Sequence, residues 1–272
     1  MRILLLAMGL ALACAASAAP LKVVSEAPAV QIGATQFIVH SESVGRDFLV
    51  KVSAPMAPTP TGTKRPAIYA LDGGYEVAGP IAWVLGGAGV MEPAFVVSVG
   101  YQPSDYHWRD DDLAHKPYRD EHGRMVGGKA AAFQAFLIEE LKPFIESRFP
   151  VDAGRSILFG HSLGGVFTAH VLAERSGLFS GYVIASPAVW SDPGLLNRLH
   201  DAAPRLDGRA FLAVGGAEPP RMLKGEADLV EALKTPGSRI AVRSEVFHGA
   251  THIAYYPALV TAAFPWLLPP KP

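Results

Sequence analysis

Short apolar runs recur from about residue 36 to the C-terminus, each separated from the next by a turn or by a stretch with helical spacing. Residues 36–40 and 47–52 alternate or run apolar with β-branched content, which predicts two opening strands joined by a turn at Ser43-Val44-Gly45-Arg46. The proline-rich stretch 55–66 reads as an exposed connection. Next come a buried strand at 67–71 ending in Asp72-Gly73-Gly74, an apolar helix over 77–85 and a strand at 94–99. Residues 101–126 are polar and show no period. In 130–149, Phe133, Phe136, Leu137, Leu141, Phe144 and Ile145 form one stripe opposite Glu139, Glu140 and Lys142, so a helix is predicted, with a kink or junction at Pro143. Further strands are predicted at 157–159, 182–185, 211–214 and 241–247, with helices at 166–174 and 255–267 among the connections. Strand alternating with helix implies an α/β protein: a single domain whose mostly parallel central sheet carries helices on both faces.

Half of the 272 residues are apolar and 18% are charged, with a formal net charge of −1. That excludes disorder as the main state and leaves no basic footprint for nucleic acid. A single cysteine excludes a disulfide framework and any cysteine-based zinc site. Residues 1–19 read as a signal peptide: Arg2, an apolar core at 3–12 and the small-residue site Ala16-Ser17-Ala18. The core is too short for a bilayer span, so a periplasmic or secreted location is expected for the domain at 20–272. The rival is a lipoprotein anchored at Cys14, but Ala11 stands where that signal usually carries leucine.

The most informative residues are Gly160-His161-Ser162-Leu163-Gly164-Gly165, between an apolar strand and a helix-forming run. Gly-x-Ser-x-Gly in that setting predicts a nucleophile elbow, a tight turn that lifts the serine hydroxyl above the sheet. The hydroxyl needs a base. His252, in the loop before the last helix, is preferred over His248, and His161 is expected to pack under the turn. The acid is expected after the 211–214 strand: Glu218, with Glu226 and Asp228 behind it. Two backbone N–H groups should hold the oxyanion, Leu163 after the nucleophile and Gly74 in the loop after the 67–71 strand. No cofactor or metal is expected; a cluster of His107, Asp110–Asp112 and His115 is the rival, set aside because carboxylate runs are common in loops.

Together with Tyr69-Ala70-Leu71-Asp72-Gly73-Gly74, the strand at 96–101, Arg109 with its acidic run, Gly127-Gly128, Ser186-Pro187-Ala188-Val189-Trp190 and Gly249-Ala250-Thr251-His252, these residues resemble the α/β-hydrolase fold. More narrowly, the chain resembles the putative esterase (esterase D-like) family, in its siderophore-esterase branch. The resemblance implies a serine carboxylic-ester hydrolase that opens trilactones such as enterobactin, with Ser162 as nucleophile and His252 as base. Some members use a Ser–His dyad, so the role of Glu218 stays open. Arg109 matches an Arg-x-x-Asp element of the branch; with Trp108 and Tyr75 it is expected to bind substrate, a small ester or lactone of the ferric-catecholate type. Aromatic rings here could stack on catechols, although the acidic residues offset Arg109, Lys116, Arg119 and Arg124. A general carboxylesterase, acyl transfer to an alcohol, and a non-catalytic periplasmic binding protein are the alternatives.

Overall fold

The computed structural model describes residues 33–72, 77–102, 104–120 and 122–271. The expected signal peptide, together with Gly74 and Tyr75, lies outside them. The residues from Gly33 onward form one compact unit.

Strands β1 (Ala34–Ser41) and β2 (Arg46–Ser53) make an antiparallel hairpin. Its turn needs Gly45, whose φ of 75° suits a residue without a Cβ and whose N–H returns to the Ser41 carbonyl. Strand β2 pairs antiparallel with β4 (Phe95–Gly100), and β4 pairs parallel with β3 (Arg65–Leu71). On the other side of β3 lie β7 (Val151–His161), β8 (Gly181–Ala185), β9 (Arg209–Gly215) and β10 (Ala241–Phe247), all parallel. The sheet therefore runs β1-β2-β4-β3-β7-β8-β9-β10. A two-residue ribbon, β5 (Tyr118–Arg119) with β6 (Met125–Val126), stands apart from it.

Both faces of the parallel strands are apolar, and side chains alternate between them. Leu158, Tyr182, Ile184 and Leu212 face one core with α5 (Leu163–Arg175), α6 (Leu195–Ala202) and α7 (Pro220–Leu233). Ile157, Phe159, Val183 and Phe211 face the other with α1 (Ala78–Gly87) and α8 (Tyr256–Leu267). Fully buried rings such as Phe48, Phe133 and Phe167 interlock in the first core.

The chain leaves β3 through α1 to reach β4 on one side, and β7 then adds on the other. That reversal opens a crevice at the carboxyl ends of β3 and β7, where open α/β sheets hold their ligands. Asp72 ends one strand and Ser162 the other.

Two predicted regions take a different form. The helix expected over 130–149 is α3 (Ala130–Ala135), a π-helical turn at Phe136–Leu141 and α4 (Lys142–Arg148), without a sharp break. Pro143 cannot donate to the carbonyl four residues back, and the widened turn ahead of it absorbs that loss. The described residues of the aperiodic 101–126 stretch are organised around α2 (Arg109–Leu113) by side-chain bonds. Buried Asp112 accepts from Arg46 and Tyr101, Asp110 from Tyr118, and Asp111 from the Gly127 N–H. These three carboxylates are tied into the protein by those bonds.

Candidate active site

The turn at Ser162 is built by its glycines. A Cβ on Gly160 would stand 1.9 Å from the Gly164 carbonyl oxygen, and one on Gly165 would stand 2.8 Å from the Ala185 oxygen. Ser162 takes φ 60° and ψ −117°, a strained conformation held by its N–H to the Ala185 carbonyl at 2.9 Å and by its own carbonyl accepting from Ala188 at 3.2 Å. Helix α5 starts at once, so the Leu163, Gly164 and Gly165 N–H groups have no partner within the helix and their positive end faces the crevice.

Glu218 lies in the turn between β9 and α7, drawn against the loop after β10. The Gly216 N–H donates to the Phe247 carbonyl at 2.8 Å, and the Ala217 N–H to the Ala250 carbonyl at 2.9 Å. A Cβ on Gly215 would strike the Ala250 oxygen at 2.5 Å, so the two loops could not otherwise meet. His252 Nδ1 donates to Glu218 Oε2 at 2.6 Å. The other carboxylate oxygen accepts from Ser186 Oγ at 2.5 Å and the Gly215 N–H at 2.7 Å. Ser186, itself at φ 39°, also bonds the Tyr255 hydroxyl. Burial alone would raise the Glu218 pKa, but the bonds from His252, Ser186 and Gly215 outweigh it and hold the carboxyl below its usual range. The donor–acceptor arrangement fixes the His252 tautomer with Nδ1 protonated and Nε2 open to accept.

His161 is buried beneath the turn, and its Nε2 donates to the His252 carbonyl at 2.7 Å. Burial, with a contribution from His252, pushes its pKa down to about 4, so the ring is a neutral strut. His248 is exposed on the rim, Glu226 bonds Ser244 and Asp228 pairs with Lys224.

Ser162, His252 and Glu218 line a single pocket of about 270 Å³ with Ala188, Trp190, Pro219, Arg221 and Met222. The Trp190 ring is 48% exposed, the Arg221 guanidinium lies 5.4 Å from its centroid, and Tyr118 meets it edge-on. Trp190, Arg221 and Met222 were not singled out from sequence as pocket residues. The sole hint was Trp190 in the Ser-Pro-Ala-Val-Trp run.

Arg109 and Trp108, the expected substrate contacts, have partners within the protein. Arg109 donates through Nε and NH2 to the Asp72 carboxylate at 2.5 and 2.7 Å, and through NH2 to the His161 carbonyl at 3.3 Å. These bonds join the ends of β3 and β7. Trp108 is 37% exposed, with Arg46 4.3 Å and Lys129 5.2 Å from its ring centroid. Gly74 and Tyr75 lie beyond the described residues, next to Asp72.

Residues 41–259 match the model of a family described as putative esterase. The chain is 29% identical over 262 residues to the ferri-bacillibactin esterase BesA of Bacillus subtilis, covering 86% of this chain and 89% of that one. It is 30% identical over 166 residues to a siderophore triacetylfusarinine C esterase of Aspergillus fumigatus, covering 57% of this chain and 56% of that one. Among solved structures, the BES protein of Bacillus cereus superposes with a TM-score of 0.81 at 26% identity, covering 91% of this chain and 99% of that one.

Proposed function

This chain belongs to the putative esterase family and is an ester-hydrolysing enzyme, and from that premise we propose that it is an exported serine esterase working through Ser162, His252 and Glu218. The observation that carries the reading is the 2.6 Å bond from His252 to buried Glu218 at the rim of the pocket that Ser162 lines. His252 Nε2 takes the hydroxyl proton as Ser162 Oγ bonds to the ester carbonyl carbon, and ionised Glu218 stabilises the imidazolium. The oxyanion is held by the Leu163 N–H and by a second donor in the loop after β3, assigned to Gly74. The tetrahedral intermediate expels the alcohol, which takes the proton from His252. Water then attacks the acyl-enzyme by the same route and releases the acid.

The substrate we assign is a siderophore ester of the catecholate trilactone class. The named activities of the relatives support a siderophore ester, and the catecholate type is suited by an aromatic ring paired with a cation at the pocket, which fits an anionic ring-bearing ligand. Export rests on the sequence pattern of residues 1–19, and sequencing of the mature N-terminus tests it. The function is tested by mass spectrometry of products from ferric enterobactin and a short aryl ester, with wild type and Ser162→Ala side by side. Wild type is expected to yield linear trimer or monomer, and the variant to lose at least about a thousandfold in turnover of both substrates. Undiminished activity in S162A removes the mechanism; an intact trilactone beside a cleaved aryl ester removes the substrate assignment alone.

A further inference from the structure

We propose that His115, His170 and Glu174 form a binding site for one divalent transition-metal ion of the Zn²⁺ type, separate from the Ser162 pocket. His170 and Glu174 are four residues apart on α5 and so share one face of the helix. His115 comes from the segment after α2, and its ring packs on His170 with centroids 4.0 Å apart. One ligand atom from each of the three residues lies within 4.8 Å of the others. His170 Nε2 stands 3.4 Å from Glu174 Oε2. Two ligands about 2.1 Å from a tetrahedral ion are themselves about 3.4 Å apart, so that pair already has the required separation.

A second observation points to an occupant. His170 is 1% exposed and turns its Nε2 to Glu174, while the buried Nδ1 of His115 has no hydrogen-bond partner among the described residues and is left to serve as that ring's ligand atom. Buried imidazoles that served packing alone would be expected to satisfy both ring nitrogens. Close by, Asp192 gives one carboxylate oxygen to Arg198 and leaves the other buried and unpartnered. The charges of Asp192 and Arg198 offset each other, and Glu174 supplies a carboxylate beside the two imidazoles. Two histidines and a carboxylate, with water in the fourth position, are the donor types zinc takes. Glu174 is 39% exposed and has room to close on the ion. Bound metal would pin the α2 segment, which carries Arg109, to the helix that begins at the Ser162 turn.

The test uses the full chain stripped with a chelator, dialysed and titrated with Co²⁺ as a spectroscopic probe. One equivalent is expected to give tetrahedral d–d absorption that Zn²⁺ displaces, with a rise in Tm. His115→Ala and Glu174→Gln, both at accessible positions, should each weaken Co²⁺ binding at least about tenfold while leaving aryl-ester turnover at the wild-type level. His252→Ala should bind Co²⁺ as wild type does, which separates this site from the Ser162 pocket. Absence of a saturable one-equivalent signal in wild type, or a signal unchanged in both H115A and E174Q, overturns the proposal.

Discussion

His161 shows how much one buried ring can carry. It lies next to the candidate nucleophile, yet its Nε2 is committed to the His252 carbonyl, and burial pushes its pKa down to about 4 against 6.5 for a free ring. In the unfolded chain the ring binds a proton below about pH 6.5, whereas in the fold it does so only near pH 4. The stability contributed by the neutral ring is therefore fully present above pH 6.5 and lost as the pH falls towards 4. Urea midpoints taken at pH 7 and pH 4.5 should show wild type losing on the order of 2 to 3 kcal/mol more than His161→Gln over that interval. Equal losses in the two proteins count against the assigned state of the ring. At Glu218 the question is whether the acid works or merely packs. Glu218→Gln preserves size but offers an amide to the imidazole, so kcat for an aryl ester should fall by about a thousandfold or more with KM little changed. A variant with wild-type kcat means that His252 acts without its acid.

At the scale of the element, the strand–turn–helix at Ser162 is specified locally. Strand β7 and helix α5 meet within one residue, and the carbonyl of Gly164 occupies the space that a side chain on Gly160 would need. Gly160→Ala should destabilise the protein by about 3 kcal/mol or more and abolish ester turnover. Gly177→Ala is the control: its φ of 94° is strained for alanine but nothing lies within 4 Å, so a cost of about 1 to 2 kcal/mol with turnover retained is expected in chemical denaturation. Strand β10 coincides with the strand expected at 241–247, and Arg243, Ser244 and Glu245 sit within it because it is the edge of the sheet and half exposed. The 101–126 segment gave no such pattern. Its order comes from Asp112 bound to Arg46 and Tyr101, and polar residues that satisfy one another across the fold leave no periodic trace.

Across the whole molecule, Arg109 is the clearest tie. Its side chain spans from α2 to Asp72 at the end of β3 and to the His161 carbonyl at the end of β7, joining the two strands that flank the crevice. Asp72 is almost fully buried, so removal of its partner would leave a desolvated charge beside the start of α5. Arg109→Ala should cost about 3 to 5 kcal/mol in urea unfolding, and Arg109→Lys should recover only part because an ammonium cannot make the two parallel bonds. A loss below about 1 kcal/mol in R109A means that Asp72 finds solvent or another partner.

Residues 20 positions apart or less determined much of this protein by themselves. The alternation of strands and helices, the parallel sheet and the glycine-framed serine turn follow from backbone sterics and hydrophobic spacing, which act over a few residues. The tertiary structure decided which polar groups meet. Glu218 reaches His252 across 34 positions, Arg109 reaches Asp72 across 37, and His161 reaches the His252 carbonyl across 91. It likewise brought Trp190 and Arg221 to the pocket and turned Arg109 inward. Those pairings depend on the order of strands in the sheet and on the loops that leave one edge of it. A side chain's chemistry is written in its own residue, but its partner is chosen by the fold.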